Sequence, residues 1–281
     1  MAKREQLPHP HLDARLLGAR RVPALVDERL ARQTGVRIAF TGRAGGESRP
    51  PYDALNLGAH VGDDPASVAR NRAILLEAAG APDAALVVPN QVHGTRGVVV
   101  GAADAGSVER ARAEAAEGAD YLAVEAAGVA ALLCFADCAP VIIVSPTGRF
   151  AVAHAGWRGA VAGIAGAAAR HLARLDAVDL GPNAARAYNA YLGPHIRSEC
   201  FECGSDVVRR FEEAFGPDAA PDARHVSLAA AVTADLVRAG LEAARIADAG
   251  VCTKCQADAY FSYRASGGVC GRHGALAVRT R

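Results

Sequence analysis

Three separated segments carry side chains whose types could work together. Ala136-Asp137-Cys138 puts a carboxylate and a thiol behind an apolar run. His154-Ala155-Gly156-Trp157-Arg158-Gly159 puts an imidazole and a guanidinium behind another, and Gln91-Val92-His93-Gly94 adds a second imidazole from upstream. His93, Cys138 and His154 together form a nitrogen–sulfur donor set suited to zinc, which takes such ligands at roughly 2.0–2.3 Å and in catalytic sites leaves one position open. The spacing is not local, so the set depends on the fold bringing it together. The same residues allow chemistry without a metal: Cys138 as nucleophile, His154 as base, and Asp137 or Asp120 orienting it. A plain buried cysteine with two structural histidines is the remaining reading.

Such groups need rigid elements behind them. Residues 131–135 and 141–144 are short runs rich in Leu, Val and Ile and read as buried strands; residues 150–153 read as a third. Residues 36–41, 85–88, 97–100, 120–124, 187–192 and 275–279 are further expected strands. Asp64 as N-cap and Pro65 in the first turn start a helix that Gly80 ends, with Val68, Leu75, Leu76 and Ala79 on one face. Residues 160–175, 205–215 and 227–240 carry helical stripes, and 104–117 reads as a helix or a flap. A helix starting just past Gly159 would aim free N–H groups at the site. The glycine-rich stretch 42–48 holds one fixed cation, Arg43, able to grip a phosphate or carboxylate, but it lacks the Lys-Ser/Thr of a Walker loop and taken alone reads first as a plain turn.

Residues 1–35 are Arg-rich and are set apart as an N-terminal extension; a single catalytic domain is expected over 36–281. The irregular order of strands and helices, with no GxGxxG, points to an α+β fold with mixed sheets covered by helices. Hydrophobic residues make up 51% of the 281, enough for a sizeable core. The net charge of +1 leaves no electrostatic footprint for nucleic acid or an anionic membrane. The most apolar window, 126–144, contains Asp137 and Pro140 and is a poor membrane span. Residues 1–11 are polar, without an apolar leader, and a cytoplasmic location is expected. His9-Pro10-His11 is a lone HxH near a terminus and reads as no metal site. Seven cysteines do not suggest a disulfide framework. Two CxxC pairs, Cys200/Cys203 and Cys252/Cys255, lie too far apart for a compact zinc ribbon and read as small buried hydrophobes.

Taken in order, Phe40-Thr41-Gly42-Arg43-Ala44-Gly45-Gly46, Asn71-Arg72, Gln91-Val92-His93-Gly94, Ala136-Asp137-Cys138, His154 to Gly159, Cys252-Thr253, Tyr260-Phe261-Ser262-Tyr263-Arg264 and Gly271-Arg272 resemble the YfiH-like family. That family is long labelled a multicopper polyphenol oxidase or laccase domain and is now associated with purine nucleoside phosphorylase activity. The resemblance runs from about Ile38 to the C-terminus, with Gly42 standing where the family usually has threonine. It implies a layered α/β/β/α domain and a metal-binding and catalytic triplet at His93, Cys138 and His154, with zinc, or copper, as the metal. It implies phosphorolysis of adenosine, inosine and methylthioadenosine, and a second activity as an adenosine deaminase. Asp137 is then a candidate orienter of a ligand, and Arg43, Arg158 and Arg264 are candidates for phosphate. A monomer or small homo-oligomer is expected. The alternatives are a copper-dependent polyphenol oxidase and a cysteine hydrolase or amidase acting on cell-wall precursors.

Overall fold

The apolar runs are continuous rather than alternating because their strands are covered on both faces. In the computed structural model, which describes residues 6–280, the chain forms twelve strands and eight α-helices. In chain order these are β1 (Asp13–Leu17), β2 (Val22–Val26), α1 (Glu28–Thr34), β3 (Val36–Thr41), α2 (Pro65–Ala78), β4 (Ala85–Val87), β5 (Gly97–Val100) and α3 (Ala105–Ala116). Then come β6 (Tyr121–Val124), β7 (Val129–Phe135), β8 (Ala139–Val144), β9 (Phe150–Ala155), α4 (Trp157–Val161), α5 (Ile164–Leu175) and α6 (Ala177–Leu180). The last are β10 (Asn189–Leu192), α7 (Ser205–Phe215), α8 (Leu228–Arg238), β11 (Ile246–Asp248) and β12 (His273–Arg279).

The strands make two six-stranded mixed sheets, ordered β1-β2-β3-β12-β7-β4 and β11-β10-β8-β9-β6-β5. Side-chain parity shows how they stack. On β8, Ile142 and Val144 join the core shared with Phe40, Leu133 and Phe135 of the first sheet, while Val141 and Ile143 face the helices α5, α7 and α8. On β7, Leu133 and Phe135 point into that inter-sheet core and Ala130 and Leu132 point outward with Leu75 and Leu76 of α2. The order is therefore helix, sheet, sheet, helix, the expected α/β/β/α layering. Small residues on β9 (Ala151, Ala153, Ala155) let α5 sit close, its own contact face being Ile164, Ala165, Ala168, Ala169 and Leu172.

Within the described part of the N-terminal extension, β1 and β2 pair antiparallel, and β2 joins β3 through Ala24 opposite Thr41. Two elements differ from the sequence reading. The helix expected over 160–175 begins earlier, at Trp157, and breaks at Gly163, whose left-handed φ of 76° leaves the helical path. The helix start thus falls inside the motif, and the longer α5 starts a full turn beyond it. His154 lies on β9 itself rather than after it.

Chain crossings between the sheets position the site. β7 belongs to the first sheet and β8 to the second, so residues 136–138 form a sharp corner between layers. β4 and β5 are likewise in different sheets, and residues 88–96 cross between them. Both crossings open onto the end of β9.

Candidate active site

His154 shares strand parity with Phe150 and Val152, so its ring enters the space between the sheets, where it lies 5.4 Å from the Phe135 ring. The β8–β9 register sets Ala139 opposite Ala155 and Pro140 opposite His154, which brings Cys138 to the same end. Gln91 anchors the other crossing to β7: its amide donates to the Cys134 carbonyl at 2.9 Å and accepts the Cys134 N–H at 2.8 Å. That loop presents His93, whose φ of 61° is uncommon for a side-chain-bearing residue. The result is that single ligand atoms of His93, Cys138 and His154 lie within 4.8 Å of one another. The two imidazoles meet edge to face with centroids 4.7 Å apart.

Asp120 holds this arrangement. Its fully buried carboxylate accepts the His154 Nδ1–H at 2.8 Å and the backbone N–H groups of Val92 (3.3 Å), His93 (2.9 Å) and Gly94 (2.7 Å). One side chain therefore fixes both the loop carrying His93 and the tautomer of His154, whose Nε2 is left for chemistry. Burial raises the Asp120 pKa, but the His154 bond and the backbone donors outweigh it and the net shift is downward. Burial works against charge at Cys138 too, yet the positive His154 beside it, aided by His93, pulls the thiol down to about 6. Burial lowers His154, and the Cys138 thiolate and Asp120 overcome it, raising the imidazole to about 9. Exposure rises from buried His154 through half-buried Cys138 to exposed His93, so the group is open on one side. Gly156 closes the other: a Cβ there would stand 2.8 Å from His93 Cδ2 and 3.2 Å from Cys138 Sγ.

The group forms the floor of a cavity of about 690 Å³, the size of a small-molecule site. Arg158 and Arg264 line it. Arg158 stacks over Trp157 at 4.4 Å and has no carboxylate partner among the described residues. Arg264 lies over the Phe201 ring at 5.5 Å. Arg72 and Arg272 also line the cavity, with Tyr263 at the rim. The reading of isolated residues passed over these two arginines, though both stand in quoted motifs, Asn71-Arg72 and Gly271-Arg272.

Two candidates are placed differently. Arg43 does not line the cavity. Its guanidinium donates to the carbonyls of Asp53 (2.9 Å) and Ala257 (2.9 Å), meets the Asp53 carboxylate at 3.3 Å and covers Phe261, so it clamps loops together. Among the described residues, the Asp137 carboxylate hydrogen-bonds to neither His93 nor His154. Its carboxylate accepts the Thr253 hydroxyl and the Arg264 N–H, both at 2.7 Å, and its φ of 87° shapes the corner before Cys138. The orienting carboxylate is Asp120, and Asp137 fixes the turn.

A sheet-on-sheet α/β/β/α enzyme scaffold with a Cys/His cluster at the inter-sheet corner is the class defined by these features. A solved structure of a hypothetical protein YfiH from Bacillus licheniformis superposes with a TM-score of 0.78 at 27% identity, over 91% of this chain and 96% of that one. Residues 37–280 match the family model described as multi-copper polyphenol oxidoreductase laccase, and the chain belongs to that family. It is 35% identical over 246 residues to the purine nucleoside phosphorylase YlmD of Geobacillus stearothermophilus, covering 85% of this chain and 88% of that one. It is 36% identical over 254 residues to the adenosine deaminase RL5 of an unknown prokaryotic organism, covering 85% and 92%.

Proposed function

We propose that this chain is a purine nucleoside phosphorylase acting on adenosine, inosine and methylthioadenosine, with an adenosine deaminase activity at the same site. The observation that carries the reading is the open His93/Cys138/His154 group on the floor of a cavity that also holds Arg158, without a carboxylate partner among the described residues, and the aromatic Trp157, Phe201 and Tyr263. Relatives named as a phosphorylase and a deaminase support it.

The donor set suits zinc: two imidazoles, one of them backed by a buried carboxylate, and a thiol already biased toward thiolate. His93, Cys138 and His154 would hold the ion, which when bound supplies Lewis acidity toward the substrate. The rest of the work belongs to the chain. Arg158 and Arg264 bind the phosphate and bring it to the anomeric carbon. Trp157, Phe201 and Tyr263 offer faces for the purine and exclude water. In phosphorolysis the bond from the anomeric carbon to the base nitrogen breaks and one to a phosphate oxygen forms. The hydrogen carried in by hydrogen phosphate ends on the departing base, so the balance needs no oxidant.

The deciding experiment is chromatography of products from adenosine with and without phosphate, and with and without chelator. Adenine and ribose 1-phosphate formed only with phosphate, and lost with chelator, support the reading; turnover of none of the three nucleosides refutes it. The chain of contacts from Asp120 through His154 to Cys138 favours a second reading, a cysteine hydrolase or amidase. Activity of that kind survives chelation and is abolished by thiol alkylation.

A further inference from the structure

A second group of soft ligands stands apart from the triplet. The sulfurs of Cys200, Cys252 and Cys255 all lie within 4.8 Å of one another, and Cys200 and Cys255 approach to 3.4 Å. A disulfide needs about 2.05 Å, so these are separate thiols. Sulfurs held tetrahedrally at about 2.3 Å from one zinc ion stand about 3.8 Å apart, a value between the two observed limits. Cys203, the other half of the first CxxC, is not in the group.

The fold builds this cluster from two loops. His195 and Cys252 form a parallel bridge, which docks the segment after β10 onto the segment after β11. A turn closed by the Cys200 N–H on the Arg197 carbonyl at 2.9 Å presents Cys200. The turn from Cys252 to Cys255 presents the other two. The Cys252 sulfur already receives the backbone N–H of Arg197 at 3.5 Å. An N–H donated to a sulfur offsets thiolate charge. Cys252 is buried, Cys200 half-buried and Cys255 exposed, so a fourth position faces solvent.

We infer that Cys200, Cys252 and Cys255 bind a second metal ion of the zinc class, separate from the His93/Cys138/His154 group. Coordination converts each thiol to thiolate and sends its proton to solvent; nothing is oxidised. The ion joins the cavity-lining segment that carries Ile196 and Phe201 to the loop that follows β11. Phe201 follows Cys200 and lies under Arg264, and Thr253 follows Cys252 and donates to Asp137 beside Cys138. Its role is to brace that segment rather than to meet substrate.

The test is metal counting on the full chain, reduced, stripped with chelator, reloaded with zinc and freed of excess. Cys255→Ser, at an exposed position, is expected to bind one zinc fewer per chain than wild type, and Cys203→Ser the same number as wild type. Repeating the comparison in a Cys138→Ala background must again show a loss of one, which makes the result independent of the first site and of any activity. Cobalt loading of Cys138→Ala is expected to retain a sulfur-to-cobalt charge-transfer band that Cys200→Ser removes. Equal zinc in wild type and Cys255→Ser, or no such band in Cys138→Ala, overturns the inference. So does a peptide map of the zinc-loaded protein that joins Cys200 to Cys255.

Discussion

Asp120→Asn tests the site's support directly. In the native chain Oδ1 accepts from His93 N and His154 Nδ1, and Oδ2 accepts from Val92 N and Gly94 N. An asparagine keeps the shape but replaces one acceptor oxygen with an NH₂ group. With the NH₂ toward Val92 and Gly94, two backbone N–H groups face a donor at a fully buried position; with it toward His93 and His154, one does, because the imidazole can change tautomer and accept. A buried unsatisfied group costs about 1–3 kcal/mol, so the variant loses at least about that much. Urea unfolding at neutral pH should show that loss as a lower midpoint with an unchanged slope. The sign with pH follows from the depressed pKa of Asp120. Its stabilisation is present above the unfolded carboxyl value, near 4, and is lost as pH falls through the lower folded value, so the variant's deficit shrinks in acid. With His154 no longer fixed, zinc affinity measured by competition with a chromogenic chelator should fall by about 10- to 100-fold. An Asp120→Asn chain with the wild-type urea midpoint and wild-type zinc affinity would refute the claim that this carboxylate holds the site.

In chelator-treated protein, Cys138 should react with iodoacetamide along a curve that rises as pH passes through about 6 rather than the ordinary 9, because thiolate appears as pH climbs through the lowered pKa; peptide mass analysis of alkylation against pH gives the midpoint, and a midpoint near 9 contradicts the His154–Cys138 coupling. Gly156→Ala should fold yet lose most zinc affinity at the triplet, since its Cβ meets His93 and Cys138 at 2.8 and 3.2 Å; unchanged affinity by competition titration means the ligands have room to move. Arg43→Ala should lower the melting temperature while leaving the KM for phosphate unchanged, whereas Arg158→Ala should raise that KM by at least tenfold, the loss of about 1.4 kcal/mol or more expected for a charged hydrogen bond; a raised phosphate KM in Arg43→Ala would return that residue to the anion site.

The strands behind the site were legible because two-faced burial leaves a plain apolar run: β7, β8 and β9 stood out in the sequence to within a few residues. The capped helix α2 was legible for a different reason, since Asp64 accepts from Ala66 and Ser67 within its own first turn. Local chemistry of that sort is written in adjacent residues. Asp120 was harder to weigh against Asp137. Both follow an alanine and both stand at the edge of a candidate strand, but the partners that separate them lie far along the chain: the N–H groups of residues 92–94 for one, Thr253 and Arg264 for the other. Arg43 misled because a glycine-rich loop with one arginine has the composition of an anion site; nearby backbone carbonyls took the guanidinium instead. The cysteines misled in the opposite direction. Pairing each CxxC with itself hides that Cys200 meets Cys255 across 55 positions while Cys203 turns away.

What sequence could not supply was the pair of crossings between layers. A strand that ends in one sheet and resumes in the other must turn sharply, and a turn at the edge of two sheets is walled by packed residues on one side and open on the other. Asp137, at a φ of 87°, and His93, at 61°, both occur at such crossings, where the path of the chain outweighs local preference. The rigidity of the His93, Cys138 and His154 group therefore comes from the two sheets, while its opening comes from the gap between them. On this view Asp120 is effective because it stands just before β6: its N–H donates to the Arg96 carbonyl at the end of the 88–96 crossing, its carbonyl accepts from His154 on β9, and its carboxylate spans the interval. A substitution that loosens either crossing should thus disturb His93, Cys138 and His154 together, whereas one on the outer helices should leave them in place.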